Sequence, residues 1–217
     1  MMVDIPLRGR PVLIAGHGRE VDEKVPMFLE EGALVHLVGR AGHVSGLASH
    51  SPGLDRDRVR DTAREVMPVI SFISTEDREL NRALVEACRP FSQIVYVPDD
   101  MSLSHISLCA ITRAGPVKIA VSTSGKSPAM AHIVRRRLDV LARNGTLVRP
   151  GEASAVEVIG GLRERVRGAF SEARSRKVFM YRLLMDPTFQ SLSLAGDVQA
   201  AAARASVLME EMRSRYR

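Results

Sequence analysis

Over the first hundred positions, short apolar runs alternate with segments whose apolar residues recur every three or four places. Residues 11–15, PVLIA, form one run, closed by Gly16. VPMFLEEG follows with Val25, Phe28 and Leu29 at helical spacing until Gly32, and residues 33–38, ALVHLV, form a second run. A period near 3.6 between two apolar runs predicts strand, turn, helix, strand in under forty residues. Residues 39–64 are polar and glycine-bearing, with little apolar periodicity. VMPVISFIS at 66–74 predicts another buried strand. TEDRELNRALVEACR predicts a helix capped by Thr75, with Leu80, Leu84 and Ala87 on one face. QIVYV at 93–97 and VKIAVST at 117–123 read as further strands. Beyond residue 128 the pattern turns helical, over 129–143, 155–185 and an alanine-rich 189–215, with NGTLVRPGE at 144–152 as a connection. Strands alternating with helices predict an α/β fold, a Rossmann-like doubly wound parallel sheet with an α-helical C-terminal domain.

Three places concentrate chemistry. In LIAGHGREVDEK, Gly16 and Gly18 stand between strand and helix. Glycines there let the backbone approach a pyrophosphate whose charge the helix N-terminus stabilises; a plain turn is the other reading. The third small position of that fingerprint is Val21. After the second strand come Gly39 and Arg40, where NAD enzymes often place a carboxylate. Arg40 is either a contact to the adenosine ribose or its 2′-phosphate or a solvated loop side chain, so NAD against NADP stays open.

The second place is VKIAVSTSGKSPAMAHIVRRRL. GKS suggests a phosphate-binding P-loop, but Ala120 stands where that pattern needs glycine, and a P-loop is excluded. Ser127 as N-cap and Pro128 at the first helical position make a good helix start. Ser122, Thr123, Ser124, Gly125, Lys126 and Ser127 then form either an anion-binding turn or a capped, solvated one. The third is YVPDDMSLSHI. Asp99 and Asp100 follow a strand, in the position of a general base or a guide for a metal ion, or simply of turn residues. His105 lies six residues beyond Asp99. The remaining histidines lack metal-ligand spacing, so no protein-built metal site is expected.

Charge and composition narrow the partners. The net charge is +6, and only four of the 31 basic residues are lysines, which suits an anionic ligand. Aromatic content of 4% with no Trp argues against a stacking platform for single-stranded nucleic acid. Cys88 and Cys109 are too few for a disulfide framework and read as buried thiols. The sequence has no long uncharged apolar run and no apolar signal core, so a cytoplasmic, membrane-free protein is expected.

Taken in order, these segments resemble the precorrin-2 dehydrogenases, including those that double as sirohydrochlorin ferrochelatases in sirohaem synthesis. The likeness runs over roughly residues 5–190 and is carried by PVLIAGHGREVDEK with FLEEGALVHLV, STEDRELN, VPDD, the Ser-x-Gly-x-Ser-Pro segment, LRERVRGAF and RSRKVFMYRLL. The chain departs from the family's pattern at His17, Val21, Tyr96, Pro98 and His105. The resemblance implies a dinucleotide-binding domain over 1–114, a dimerisation and substrate-loop segment over 115–150, and a helical domain over 151–217. It implies a homodimer acting on a tetrapyrrole, with the loop reaching the active-site cleft. NAD would accept a hydride from precorrin-2 while Asp99 takes a proton, and Fe²⁺ is a possible substrate metal for chelation in the same cleft. Cofactor contacts are expected from Gly16, His17, Gly18, Arg19, Glu20, Gly39, Arg40 and Thr75. Substrate contacts are expected from Ser122 to Ser127 and from His105. The alternatives are a chelatase for Fe²⁺ or Co²⁺ without redox chemistry and a basic binding module.

Overall fold

The structure, a computed structural model, describes residues 2–42, 45–98 and 100–215. It divides into two compact units, one ending at Leu108 and the other beginning at Cys109.

The first unit is built on a five-stranded sheet in the order β3-β2-β1-β4-β5, every pair parallel. Its strands are β1 (Pro11–Gly16), β2 (Leu34–Gly39), β3 (Ser49–Ser51), β4 (Ile70–Ser74) and β5 (Ile94–Tyr96). The helices α1 (Arg19–Glu30), α2 (Arg56–Val66) and α3 (Arg78–Cys88) connect them. Strands of a sheet covered on both faces read as near-continuous apolar runs. In β1, Val12 and Ile14 join the cluster on one face with Val21, Val25 and Phe28 of α1. Leu13 and Ala15 join the other with Val59, Ala63 and Leu84 of α2 and α3. The side chains of Phe28, Phe72, Leu13 and Ile14 are fully buried.

The polar stretch over 39–64 holds two elements that periodicity missed. Helix α2 buries only Val59 and Ala63 among its eleven residues, too few apolar positions to register a period. Its ends are set by polar chemistry: Asp55 accepts the Arg58 N–H at 2.8 Å, and Met67 closes the helix in the left-handed region at φ 49°. The expected strand over 66–74 therefore begins only at Ile70. The cap of α3 is Asp77, not Thr75. Its Oδ1 accepts the N–H groups of Glu79 and Leu80, while the Thr75 hydroxyl accepts the N–H of Asp77.

In the second unit, β6 (Ala110–Ala114) pairs antiparallel with β7 (Val117–Val121). The strand expected at 117–123 thus belongs to this hairpin and not to the parallel sheet, because its partner is the mixed segment AITRA next to it in sequence. The long helix α4 (Pro128–Arg143) follows, with α5 (Pro150–Ala169), α6 (Ala173–Leu184), α7 (Pro187–Leu194) and α8 (Val198–Arg215). Helix α5 starts inside the expected connection, at Pro150. The helical stretches over 155–185 and 189–215 each break once, at residues 170–172 and 195–197. Helices α5 to α8 share a core that includes Val158, Leu162, Phe179, Leu183, Phe189 and Met212. Asp186 caps α7 through the Phe189 N–H and forms two hydrogen bonds to Arg204 of α8, at 2.7 and 3.1 Å. Burial pushes the Cys88 thiol pKa up, while Cys109 is half-buried rather than buried.

Candidate functional site

The chain reverses direction across the sheet between β1 and β4, since β2 and β3 lie to one side of β1 and β4 and β5 to the other. Open α/β sheets bind ligands at that switch point, beyond the strand ends. Here the strand ends touch through bare backbone. Gly16 pairs with both Gly39 and Ser74. At φ 146°, a Cβ on Gly16 would lie 1.8 Å from the Ser74 carbonyl oxygen, and one on Gly39, at φ 125°, would lie 2.0 Å from that of Gly16. The His17 N–H donates to Ser74 O and the Arg40 N–H to Gly16 O, each at 3.0 Å, so both ladders continue one residue past the strand ends. Helix α1 starts immediately after, with Gly18 at its N-cap and no side chain capping it. Its first-turn N–H groups have no intrahelical partners, the arrangement that receives a phosphate.

These groups open on a cleft of about 590 Å³, lined by His17, Gly18, Arg19 and Glu20 on one side and Ser74, Thr75 and Glu76 on the other. Asn81 closes it from α3 and fixes Thr75: Asn81 Oδ1 accepts the Thr75 N–H at 2.9 Å, and its Nδ2 donates to Thr75 O at 3.0 Å. Pro98 and Asp100 border the far wall. Asp100 accepts from Ser102 N–H and Oγ and from Arg78 Nε at 3.0 Å. The Ser102 hydroxyl, and then Arg78, hold the Asp100 carboxyl below the usual carboxylate range. Asp99, the expected base, lies outside the described residues.

Five of the expected cofactor contacts, His17, Gly18, Arg19, Glu20 and Thr75, thus share the cleft, with Gly16 and Gly39 beneath them in the sheet. Arg40 is exposed at the end of β2 and does not line it. Val21, in the fingerprint's third small position, is fully buried in the α1 face cluster. His105 is tied to β5 instead of to the cleft, with its N–H on Val95 O at 2.8 Å and its Nδ1 accepting the Val95 N–H at 3.2 Å. Sequence reading gave no role to Arg78, and Asn81 entered it only within a motif; the six-residue spacing from Thr75 across a helix start is the signal that would have found Asn81.

In the second unit, the turn over 122–127 carries positive φ at Ser124 and Gly125, 53° and 77°. Ser122 Oγ accepts the Ser124 N–H, Thr123 Oγ1 accepts the Ser127 N–H, and Thr123 O accepts the Lys126 N–H, all at 3.1 Å. Ser127 Oγ caps α4 through the Met130 N–H, as its Ser-Pro start predicts. The backbone donors expected to stand open there are therefore largely spent within the turn. Lys126 remains exposed at its tip.

The fold and the cleft define a dinucleotide-binding α/β protein of Rossmann type. Residues 3–110 match the NAD(P)-binding family model, and residues 114–141 match the model described as sirohaem biosynthesis protein central. The chain is 33% identical over 202 residues to a siroheme synthase of Methylococcus capsulatus, covering 91% of this chain and 40% of that protein. It is 27% identical over 223 residues to one of Nitrosomonas europaea, covering 99% of this chain and 44% of that protein. Among solved structures, SirC, precorrin-2 dehydrogenase, aligns with TM-score 0.61 at 17% identity, over 97% of this chain and 99% of that one. The two models match in order along the chain, the NAD(P)-binding one first and the sirohaem central one after it. The chain spans less than half the length of these curated relatives.

Proposed function

We propose that the chain binds NAD in the β1–β4 cleft and dehydrogenates precorrin-2 to sirohydrochlorin. The observation that carries this reading is the close backbone packing of Gly16 and Gly39, with Gly16 against the Ser74 carbonyl, beneath an uncapped helix start. Such a helix start receives a pyrophosphate at its N–H groups. Bound there, NAD supplies the hydride acceptor. Thr75, fixed by Asn81, positions its hydroxyl at the cleft wall. Asp99 takes the proton released from the macrocycle. Asp100 is a poor base by comparison, because Ser102 and Arg78 already occupy its carboxylate and keep it ionised. Lys126 and the hydroxyls of the 122–127 turn are the substrate contacts of the second unit, positive charge and donors suiting a carboxylate-rich tetrapyrrole. Ferrous ion would enter as a second substrate for chelation.

The working form is a homodimer in this proposal. Among its described residues, α4 buries only Ala131, while Met130, Ile133, Val140 and Leu141 are between 37% and 53% exposed. A second copy covering this face would bury them. A cytoplasmic setting fits a chain in which no described helix is long and apolar enough to cross a membrane.

The test is anaerobic incubation of the purified protein with precorrin-2, with and without NAD⁺ or NADP⁺, following sirohydrochlorin absorbance. Dinucleotide-dependent formation, abolished in a folded Asp99→Ala variant, is the expected result. No formation with either dinucleotide, together with metallation of supplied sirohydrochlorin, would transfer the assignment to a chelatase without redox activity.

A further inference from the structure

Arg78 stands at the first position of α3, directly after the cap Asp77. A cation there opposes the helix dipole, so helix stability does not account for it. Its guanidinium is held from one edge. Nε donates to Asp100 Oδ2 at 3.0 Å, while Asp100 Oδ1 accepts the Ser102 N–H at 3.0 Å and the Ser102 hydroxyl. The Asp100 side chain is 14% exposed and that of Arg78 71%, so a nearly buried carboxylate anchors a group that reaches out of the wall. Among the described residues this is the one hydrogen bond the guanidinium makes, whereas Arg204 spends both Nε and Nη2 on Asp186. A planar fork held through Nε presents both terminal nitrogens in a fixed orientation. The other arginine of the cleft, Arg19, is 87% exposed and pairs with Glu23, itself 48% exposed, a loose contact in water that fixes little.

Arg78 lines the wall of the dinucleotide cleft away from α1, together with Glu76, Asn81, Pro98 and Asp100. Among the described residues, the other ionisable groups on that wall are the acids Glu76 and Asp100, so an anionic group arriving there has Arg78 to meet. We infer that Arg78 binds a carboxylate of the tetrapyrrole substrate through Nη1 and Nη2, and that Asp100 and Ser102 are positioning residues that hold the guanidinium for it. The identity of the ligand rests on the dehydrogenase reading. A guanidinium meets a carboxylate through two parallel N–H···O bonds, a fit that an ammonium lacks. Because Asp100 offsets part of the charge, the contact selects by this geometry as well as by attraction. The dinucleotide pyrophosphate is drawn instead to the uncapped start of α1, on the opposite wall. Asp100 directly follows Asp99 in sequence, so the segment that anchors the substrate is the one proposed to take its proton.

The test is anaerobic titration of the full chain with sirohydrochlorin, followed by absorbance, with NAD⁺ affinity measured in parallel by calorimetry. Arg78→Ala should weaken sirohydrochlorin binding by about tenfold, the size of one charge-assisted contact. NAD⁺ affinity should stay unchanged, and in turnover the loss should fall on the KM for precorrin-2. Arg78→Lys, which keeps the charge without the fork, should recover only part of it; Arg78→Gln stands in for the alanine variant if that one fails to fold. Asp100→Asn should weaken binding beside a native Arg78 and add nothing to Arg78→Ala, a coupling that an ion pair serving only the fold would not show. Unchanged sirohydrochlorin affinity in Arg78→Ala, additive losses at the two positions, or a native chain that does not bind sirohydrochlorin overturns the inference. So does an equal loss of NAD⁺ affinity, which would assign Arg78 to the dinucleotide phosphates. Binding is read without turnover, so a selective loss of sirohydrochlorin affinity supports the inference even in a chain that forms no product, where the dehydrogenase reading alone fails.

Discussion

Replacing Gly16 by alanine tests whether the sheet is held at the cleft by direct backbone contact. The new Cβ would sit 1.8 Å from Ser74 O, whereas a close carbon–oxygen contact is about 3.3 Å, so β1 and β4 must part by about 1.5 Å there. Parting them breaks the His17 N–H bond to Ser74 O, now 3.0 Å long. The cost combines about 1–3 kcal/mol of backbone strain at φ 146°, about 1–3 kcal/mol for the clash and about 1–3 kcal/mol for the orphaned groups. Gly18→Ala is the internal control. At φ 90° it carries strain, but no atom lies within 4 Å of its Cβ, so only about 1–3 kcal/mol is expected. Urea denaturation followed by far-UV circular dichroism should separate the two variants by about 2–6 kcal/mol. Hydrogen exchange of β1 and β4 peptides reads the first unit by itself. Equal destabilisation, within about 1 kcal/mol, would refute close contact as the reason for glycine at position 16.

Further expectations concern single polar groups. Carboxyl carbon shifts in an NMR titration should place Asp100 below an ordinary aspartate, and Ser102→Ala should raise it more than Arg78→Ala, because the hydroxyl is the larger cause. Arg204 holds the Asp186 carboxyl low. A depressed folded-state pKa contributes stability that is fully present above the unfolded value, about pH 4, and is lost as pH falls through the folded one. Asp186→Asn should therefore flatten the acid limb of a melting-temperature profile, and an unchanged limb would count against the pair. Thr112, buried on β6, donates to Asp139 Oδ1 at 2.8 Å, and Thr112→Val should cost about 1–2 kcal/mol by denaturant midpoint.

The parallel sheet was legible because burial on both faces leaves runs such as VLIA uninterrupted and ISFI broken only by Ser71, and the glycine turn because its spacing encodes a backbone need. Helix α2 was not, since its two buried residues are both small and its ends are written in Asp55 and a left-handed Met67. The place of β7 was illegible for another reason. A strand's composition does not say whether it pairs with the sheet or with the segment before it, and AITRA resembles a loop. Around the cleft, the placement of Gly16 and Gly18 at the end of a strand and the start of a helix was readable from spacing, whereas what Arg78, Asn81 and Ser102 do depends on contacts that form only once α3 and the following loop are in place.

The sheet order also governs the chain's history during synthesis. Strand β1 sits at the centre, yet one of its two neighbours, β4, ends at Ser74, about sixty residues later. At about 5–20 residues per second, an apolar strand edge waits roughly 3–12 s for that partner. Over this interval VLIA is a sticky edge rather than a core, open to pairing with another nascent chain. Protection of the newborn protein during those seconds, by slow dilution or by a chaperone, should govern its soluble yield more than the stability of the finished fold does.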